Sequence, residues 1–568
     1  MNRRHLLIIV ILSVLITIVL QLNLTRAILF RDYLRTDDIV LGREDRAYYL
    51  VLINESSKGN WELGSPFLKE WGEAPYLYPA LNVNALGFLK KVSGTSIKSY
   101  FIILDYAAVL VLMILAITLF LVMFRWENFG YIAGISYVLL PRMLIWDRTI
   151  SPQTNFIPLL LFLIFYFSRM SGIKREIALG ASAGVLFYVY PYYWTFTVAL
   201  LVIGDVWEFF KNKKFIWERL YKYLIILAII PYYLIHMLNV RHLSYYEESI
   251  RRIGALYSRL PSGFYTQAVI LSLIIIFLFL RRFVFRKNNY PGAYFQNFEK
   301  IILGLVASVI VLNQQIVTGM QLEFNSHYLP VIIIFMVGVV AGMFFVVIGQ
   351  GRFRIKLVTA GGIAVAMVFF SNAILYQVRN NHFSKKENYL TDDALKTLNW
   401  FKENEVRDSV IYSPPELSNK ILLLTNNYLY FHPAQELHLM PTSELVYRFT
   451  YSDITNQDIT SHPENYQLQI FGQIFNSIRE KDNVVRHIKA VISGQKFVPA
   501  PLDEKYLRYD FKPMRLERVT VTPPKLDSIL GKYHVNYVVY SIRDKNSIYK
   551  NIPGKIVFEN SSYLIKAR

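Results

Sequence analysis

Three short stretches of this 568-residue chain hold side chains able to move protons or bind anions. The first is Arg43-Glu44-Asp45-Arg46-Ala47-Tyr48-Tyr49, with Asp37-Asp38 just ahead of it. In such an acidic pair one carboxylate can accept the proton of an attacking hydroxyl while the other orients that hydroxyl or holds a divalent metal. The same pair also suits the first turn of an ordinary solvated helix, where acids offset the helix dipole. The second stretch is Asp147-Arg148-Thr149-Ile150-Ser151-Pro152-Gln153. The planar guanidinium of Arg148 can fork onto a phosphate, or it can pair with Asp147 and close a turn. The third runs from Asn313-Gln314-Gln315-Ile316-Val317-Thr318-Gly319 to His327-Tyr328. Here His327 can donate to a phosphate oxygen and Gly319 can let a backbone N–H approach, while Gln315, Thr318 and Tyr328 bring further polar groups. The competing reading is a capped helix end and a turn, with His327 in water.

The elements that must position these stretches follow from composition. Hydrophobic residues make up 54% of the chain, and the mean hydropathy is +0.31. The apolar residues are clumped into runs, and a run of roughly 20 crosses a hydrocarbon core about 30 Å thick. They lie at 6–22, 101–124, 129–146, 154–168, 177–192, 194–210, 223–238, 264–280, 301–316, 329–349 and 357–377, which predicts about eleven spans. The first follows Arg3 and Arg4; its length, and the absence of a small-x-small cleavage site after it, favour a retained anchor over a signal peptide. The formal charge of +20 does not call for nucleic acid, because Lys and Arg gather in short loops between apolar runs. There is no cysteine, which excludes disulfides and thiolate metal sites.

Every second loop is basic. One set holds Arg125; Arg169, Lys174 and Arg175; Lys211, Lys213, Lys214 and Arg219; Arg281, Arg282, Arg286 and Lys287; and Arg352, Arg354 and Lys356. With these loops in the cytoplasm, the N-terminus is cytoplasmic and all three chemical stretches open on the other side. The chain then divides into a membrane domain, residues 1–377 with a large outer loop over 23–100, and an extracytoplasmic α/β domain, residues 378–568. In the latter the pattern predicts a helix over 391–404 capped by Thr391, and strands at 409–412, 535–541 and 555–558. In the large loop, residues 45–58 read as an amphipathic helix ended by Gly59, with Tyr48, Tyr49, Leu52 and Ile53 on an apolar side laid along the membrane. Trp61, Phe67, Trp71, Tyr76 and Tyr78 read as interfacial anchors. The turn Tyr190-Pro191-Tyr192-Tyr193-Trp194 has neither acid nor base and reads as an aromatic belt or a sugar-stacking wall. Within 239–263, Glu247 and Glu248 stand at helical spacing from Arg251 and Arg252, either as ion pairs or as a diphosphate site. Asp105, just inside the second run, is paired or functional.

These residues resemble the GT-C glycosyltransferases, multi-span enzymes with acids in the first outer loop and a soluble C-terminal domain. Glu44-Asp45-x-x-Tyr48 is similar to the acidic-pair-then-Tyr pattern of the protein O-mannosyltransferase and aminoarabinose transferase branch, in the order Glu-Asp where many relatives have Asp-Glu. Asn313, Gln315, Thr318, Gly319, His327 and Tyr328 resemble a segment of uncharacterised bacterial members. Residues 147–153 resemble the second outer loop, where such enzymes often place another acid. The resemblance implies a mainly α fold: a polytopic helix bundle with a small C-terminal α/β domain, set in the cell membrane. It implies transfer of a sugar, with inversion, from a polyprenyl-phosphate-linked donor to a glycan, lipid or protein acceptor outside the membrane. Glu44, Asp45 and Asp147 would be the catalytic acids, and Arg148, His327, Gln315, Thr318 and Tyr328 would hold the donor phosphate. A divalent cation, magnesium or manganese, would sit on Asp45 and Asp147 in the manner of those members that use one. Inversion at the anomeric carbon would need a base opposite the leaving phosphate. Two other readings stand beside this one. A lipid-linked sugar flippase predicts interrupted helices and a polar path through the midplane. A non-catalytic glycan-binding scaffold predicts that Glu44, Asp45 and His327 do not converge.

Overall fold

The computed structural model describes residues 3–22, 24–25, 44–77, 80–124, 127–139, 150–213, 217–257, 259, 261, 263–283, 292–322, 325–348, 352–379, 391–466, 474–499, 511–542 and 548–568. The chain is mainly helical, with one small mixed sheet and a two-stranded ribbon. Among the described residues, three helical stretches are long and apolar enough to cross a bilayer: Arg3–Leu20, Ser99–Met123 and Pro191–Asn212. Trp217–Ile229 and Pro231–Arg241 make a fourth if their 47° bend is taken within one span. Shorter apolar stretches cover Gly130–Leu139, Thr154–Phe167, Tyr265–Phe279, Leu329–Met343 and Ala360–Leu375. Every apolar run of the sequence thus has a helix over it. Length and hydropathy by themselves count three or four spans among the described residues; the five shorter stretches bring the total to nine, and the expected figure of about eleven is reached only if Gly172–Leu186 and Gly292–Leu312 also cross.

Small residues let these helices close on one another, as packing between apolar surfaces requires where lipid offers no hydrophobic drive. In the helix Gly172–Leu186, a Cβ at Gly180 would lie 2.5 Å from the Lys222 carbonyl oxygen on the helix Leu220–Ile229. Between the helices Gly292–Leu312 and Leu329–Ile348, Gly304 receives the Phe335 ring and Gly342 receives Phe298. The bend at Ile230-Pro231 is closed by one side chain. Tyr188 donates its hydroxyl to the Ile229 carbonyl at 2.6 Å and accepts the Tyr233 N–H at 3.2 Å.

A second unit caps one end of the bundle, the near face. Its five strands are β3 (Val410–Tyr412), β4 (Tyr428–Leu429), β5 (Val535–Ser541), β6 (Lys555–Glu559) and β7 (Tyr563–Ala567); β1 (Leu256–Tyr257) and β2 (Met320–Gln321) form the separate ribbon. The order is β4-β3-β5-β7-β6, with β4, β3 and β5 parallel and β7 antiparallel to both neighbours. The expected helix is Asp392–Glu403, and the Thr391 hydroxyl accepts the Ala394 N–H at 3.2 Å, the cap that the sequence predicts.

The helix Glu44–Lys58 differs from its expected role. Ala47, Tyr48, Leu50, Val51, Leu52 and Ile53 are all buried, and so are Asn54, Glu55 and Ser56. One side packs on the helix Leu81–Ser93, where Gly87 makes room for Ser56. Another packs on the helix Pro415–Leu424, and the shared core includes Phe401, Ile411, Leu417 and Ile565. It is an interior helix and not one laid on lipid, because residues more than 340 positions later supply the apolar surface that covers it. The same correction applies to its neighbours. Phe67 stacks on His432 at 4.3 Å, Trp71 meets Tyr245 at 5.6 Å, and the Tyr76 hydroxyl lies 3.0 Å from that of Tyr48. Trp61 is exposed, and Tyr78 lies outside the described residues.

Candidate active site on the near face

The amide-rich segment leaves the helix Gly292–Leu312 through Asn313 and makes one short helix, Gln314–Thr318. Gly319 ends it at φ +76°, a conformation that suits glycine. Its polar groups largely serve each other. The Thr318 hydroxyl lies 2.8 Å from Gln314 Oε1 and 3.1 Å from the Met320 carbonyl. Gln314 Nε2 donates to the same carbonyl at 2.8 Å. Asn313 accepts from Gln267 Nε2 at 3.0 Å, and Gln315 is fully buried beneath the turn. β2 then pairs with β1, which ties this segment to the loop that precedes the helix Phe264–Phe283. Arg259 in that loop donates Nη1 to the Ile316 carbonyl at 3.0 Å, and its guanidinium stands over Gly319.

His327 and Tyr328 end the segment in a cage of aromatic rings. His327 Nδ1 is 2.7 Å from the Tyr190 hydroxyl, and the Tyr192 ring meets the imidazole edge-on at 4.8 Å. Tyr192 also meets Tyr328 at 5.0 Å, and the Tyr328 hydroxyl lies 2.9 Å from Thr195 Oγ1. His327 is half-buried, whereas Tyr328 is buried at 1% exposure. The cage joins the starts of two apolar helices: Pro191 opens Pro191–Asn212, and His327 and Tyr328 immediately precede Leu329–Ile348. Pro191 is tolerated there because the first turn has no intrahelical use for its missing N–H. The imidazole therefore stands, half-buried, at the end of the apolar bundle.

Of the eight predicted site residues, the structure brings His327 and Tyr328 together, and Gln315 and Thr318 lie earlier in the same segment, in the short helix Gln314–Thr318. Glu44 and Asp45 open the helix Glu44–Lys58 on the near face; their side chains lie outside the description, as do Asp147 and Arg148 altogether. Among the described residues, no group of three or more His, Asp or Glu side chains could hold a metal ion. Both proposed metal ligands, Asp45 and Asp147, fall outside that search. Tyr190 and Arg259 are the residues that reading by charge and motif passed over. The signal for Tyr190 was present in the hydroxyl-rich turn Tyr190-Pro191-Tyr192-Tyr193, set at a helix start.

Three other titratable groups on this face, Arg252, His432 and His438, are structural. Arg252 is buried and donates to the carbonyls of Glu436 at 2.9 Å, His438 at 2.7 Å and Met440 at 3.1 Å. It thereby fastens the helix Tyr246–Ile253 to the α/β unit and makes no diphosphate site. Burial lowers its pKa to about 10. His432 and His438 are pushed down to about 3, first by burial and, for His438, also by the Arg252 charge. His432 Nδ1 accepts the Ala434 N–H at 3.1 Å, so its proton is on Nε2, 2.8 Å from Asn419 Oδ1.

No family model matches the sequence, and no curated protein matches it. Among solved structures, the chain is similar to the apo oligosaccharyltransferase of Archaeoglobus fulgidus at a TM-score of 0.45 and 11% identity, over 95% of this chain and 70% of that one. It is similar to ArnT from Cupriavidus metallidurans bound to undecaprenyl phosphate at 0.41 and 12%, over 96% of this chain and 97% of the other. For ArnT in the apo state the values are 0.40 and 12%, over 92% and 93%.

Proposed function

We propose that this chain is a membrane glycosyltransferase of the GT-C type that moves a sugar from a polyprenyl-phosphate-linked donor to an acceptor outside the membrane. The observation that carries the reading is the His327–Tyr190 pair, an imidazole and a phenol bonded at 2.7 Å where two apolar helices begin. A polyprenyl tail stays among acyl chains, so its phosphate lies at the depth of helix ends. A donor there, in a setting of low dielectric, is worth more to an anion than the same donor in water. With the Tyr190 hydroxyl donating to Nδ1, the imidazole carries its proton on Nε2, the atom that would address the phosphate. Arg259 and Arg148 would add positive charge. Thr195 and Tyr328 would hold the segment in place, and Gln315 and Thr318 would keep its turn.

Glu44 or Asp45 would take the proton of the acceptor hydroxyl as its oxygen attacks the anomeric carbon. The bond from that carbon to the phosphate oxygen breaks, and the electron pair leaves on the phosphate held by His327. This order of events inverts the anomeric carbon. A divalent cation on Asp45 and Asp147 would offset the charge that develops on the leaving phosphate. The near face would be extracytoplasmic, with the N-terminus in the cytoplasm and the protein in the cell membrane. Mass spectrometry of surface glycans tests the reading in cells with the chain, without it, and with Asp45→Asn. The expected result is a sugar-bearing species found only with the unaltered chain. A glycan profile indifferent to removing the chain contradicts it.

A further inference from the structure

The second half of the helix Ile474–Ser493 turns apolar side chains away from the protein. Val485, Ile488, Val491 and Ile492 fall at helical spacing on that side, and all are exposed, Ile492 by 82%. The flank next to that stripe attaches the helix to the bundle. His487 Nε2 lies 3.1 Å from the Tyr265 hydroxyl, and Phe497, just past the helix, closes on the His487 ring at 5.0 Å. The helix also packs on β1 and on the helix Tyr246–Ile253.

Tyr265 fixes the level at which this happens. It is the second residue of the helix Phe264–Phe283, whose exposed apolar flank begins at Val269 and continues through Leu271, Ile275, Ile276, Leu278 and Phe279. Four residues of helix span about 6 Å, so the His487 contact lies about one turn from the start of that exposed apolar flank. Lys489 and Lys496 are exposed beside the apolar side chains. Long cationic side chains in that position can bury their stems and leave their ammonium groups at lipid phosphates. An apolar side bordered by lysines, level with the end of a membrane helix, is the pattern of a helix lying in the membrane interface.

We infer that Ile474–Ser493 is a membrane-surface helix, with Val485, Ile488, Val491 and Ile492 seated in the near-face leaflet. It gives the α/β unit its own hold on the bilayer, far along the chain from the bundle. The attachment also sits against the β1–β2 ribbon that leads into the amide-rich segment.

The absence of cysteine makes the test direct, since one introduced cysteine reports one position. Ile488→Cys and Ile492→Cys, each carrying an NBD fluorophore, are compared with Val519→Cys, an exposed position on the helix Lys512–Val519. The full chain is held in nanodiscs of phosphatidylcholine and phosphatidylglycerol, with and without doxyl-labelled lipid. Doxyl lipid should quench positions 488 and 492 several-fold more than position 519. Equal quenching at all three overturns the inference. A blue-shifted emission at 488 and 492 that doxyl lipid leaves unchanged also overturns it, because the face is then covered by protein, a second copy included. The readout does not involve sugar transfer, so failure of the transferase reading leaves it standing.

Discussion

The two ends of the bundle handle polar side chains in opposite ways. At the far end, charges neutralise each other. Lys222 is 3% exposed and lies 3.0 Å from Glu176 and 2.7 Å from Asp205. Arg219 reaches Asp205 at 3.1 Å, Arg175 reaches Glu176 at 3.1 Å, and the Tyr223 hydroxyl donates to Asp205 at 2.8 Å. At the near end the polar cluster is His327, Tyr190, Thr195 and Tyr328, which are joined by neutral hydrogen bonds and walled by aromatic rings. Formal charge is therefore a poor guide to function in this chain. Dense charge at the far end holds helices together, while the His327 cluster that we propose as the phosphate site is joined by hydrogen bonds between uncharged groups, with Arg259 set over the nearby Gly319.

The contrast can be broken by substitutions, taken from the largest expected effect down. Lys222→Met leaves Glu176 and Asp205 without their shared cation, and losing one partner of a buried ion pair costs about 3–5 kcal/mol. Thermal unfolding in detergent should show this, with donor binding unchanged in the protein that remains folded. Loss of donor binding at unaltered stability would place the far end in the site. His327→Ala should do the reverse, slowing sugar transfer about a hundredfold, as removal of one preorganised donor to a developing anion does, with a far smaller change in the unfolding midpoint than Lys222→Met.

Acid sharpens the comparison through the buried histidines. His432 and His438 stay neutral in the folded state down to about pH 3, whereas in the unfolded chain each takes up a proton below about 6.5. Stability of the α/β unit is thus complete above about pH 6.5 and falls as pH drops, by up to about 1.4 kcal/mol per pH unit for each histidine. Denaturation curves between pH 7.5 and 5 should show the slope, and His438→Leu should halve it. The smallest effect belongs to Tyr190→Phe, which removes one hydrogen bond and keeps the ring. A net loss of about 0.5–1.5 kcal/mol corresponds to at most roughly tenfold in transfer rate. A larger loss than for His327→Ala would reverse the roles of the pair.

What was legible in the sequence is what depends on local pattern. Apolar runs became helices because a span needs only its own residues, and Thr391 caps its helix through an N–H three residues away. The strands at 410–412, 535–541 and 555–559 follow from their Val, Ile and Tyr content. What was not legible depends on distant partners. The helix Glu44–Lys58 reads as amphipathic until Leu417 and Phe401 are brought onto it. Arg252 reads as half of a surface ion pair until the carbonyls of Glu436, His438 and Met440 enclose it. His327 was legible as a residue, but its link to Tyr190 joins positions 137 apart, and no spacing rule predicts that.

The central claim is that His327 holds a lipid-linked phosphate. Phosphorus NMR of a short-chain polyprenyl phosphate, titrated with the unaltered protein and with His327→Ala in nanodiscs, tests it most directly. The account predicts a shifted, broadened phosphate resonance with the unaltered chain and a free-lipid resonance with the variant. The same shift with both proteins would contradict it.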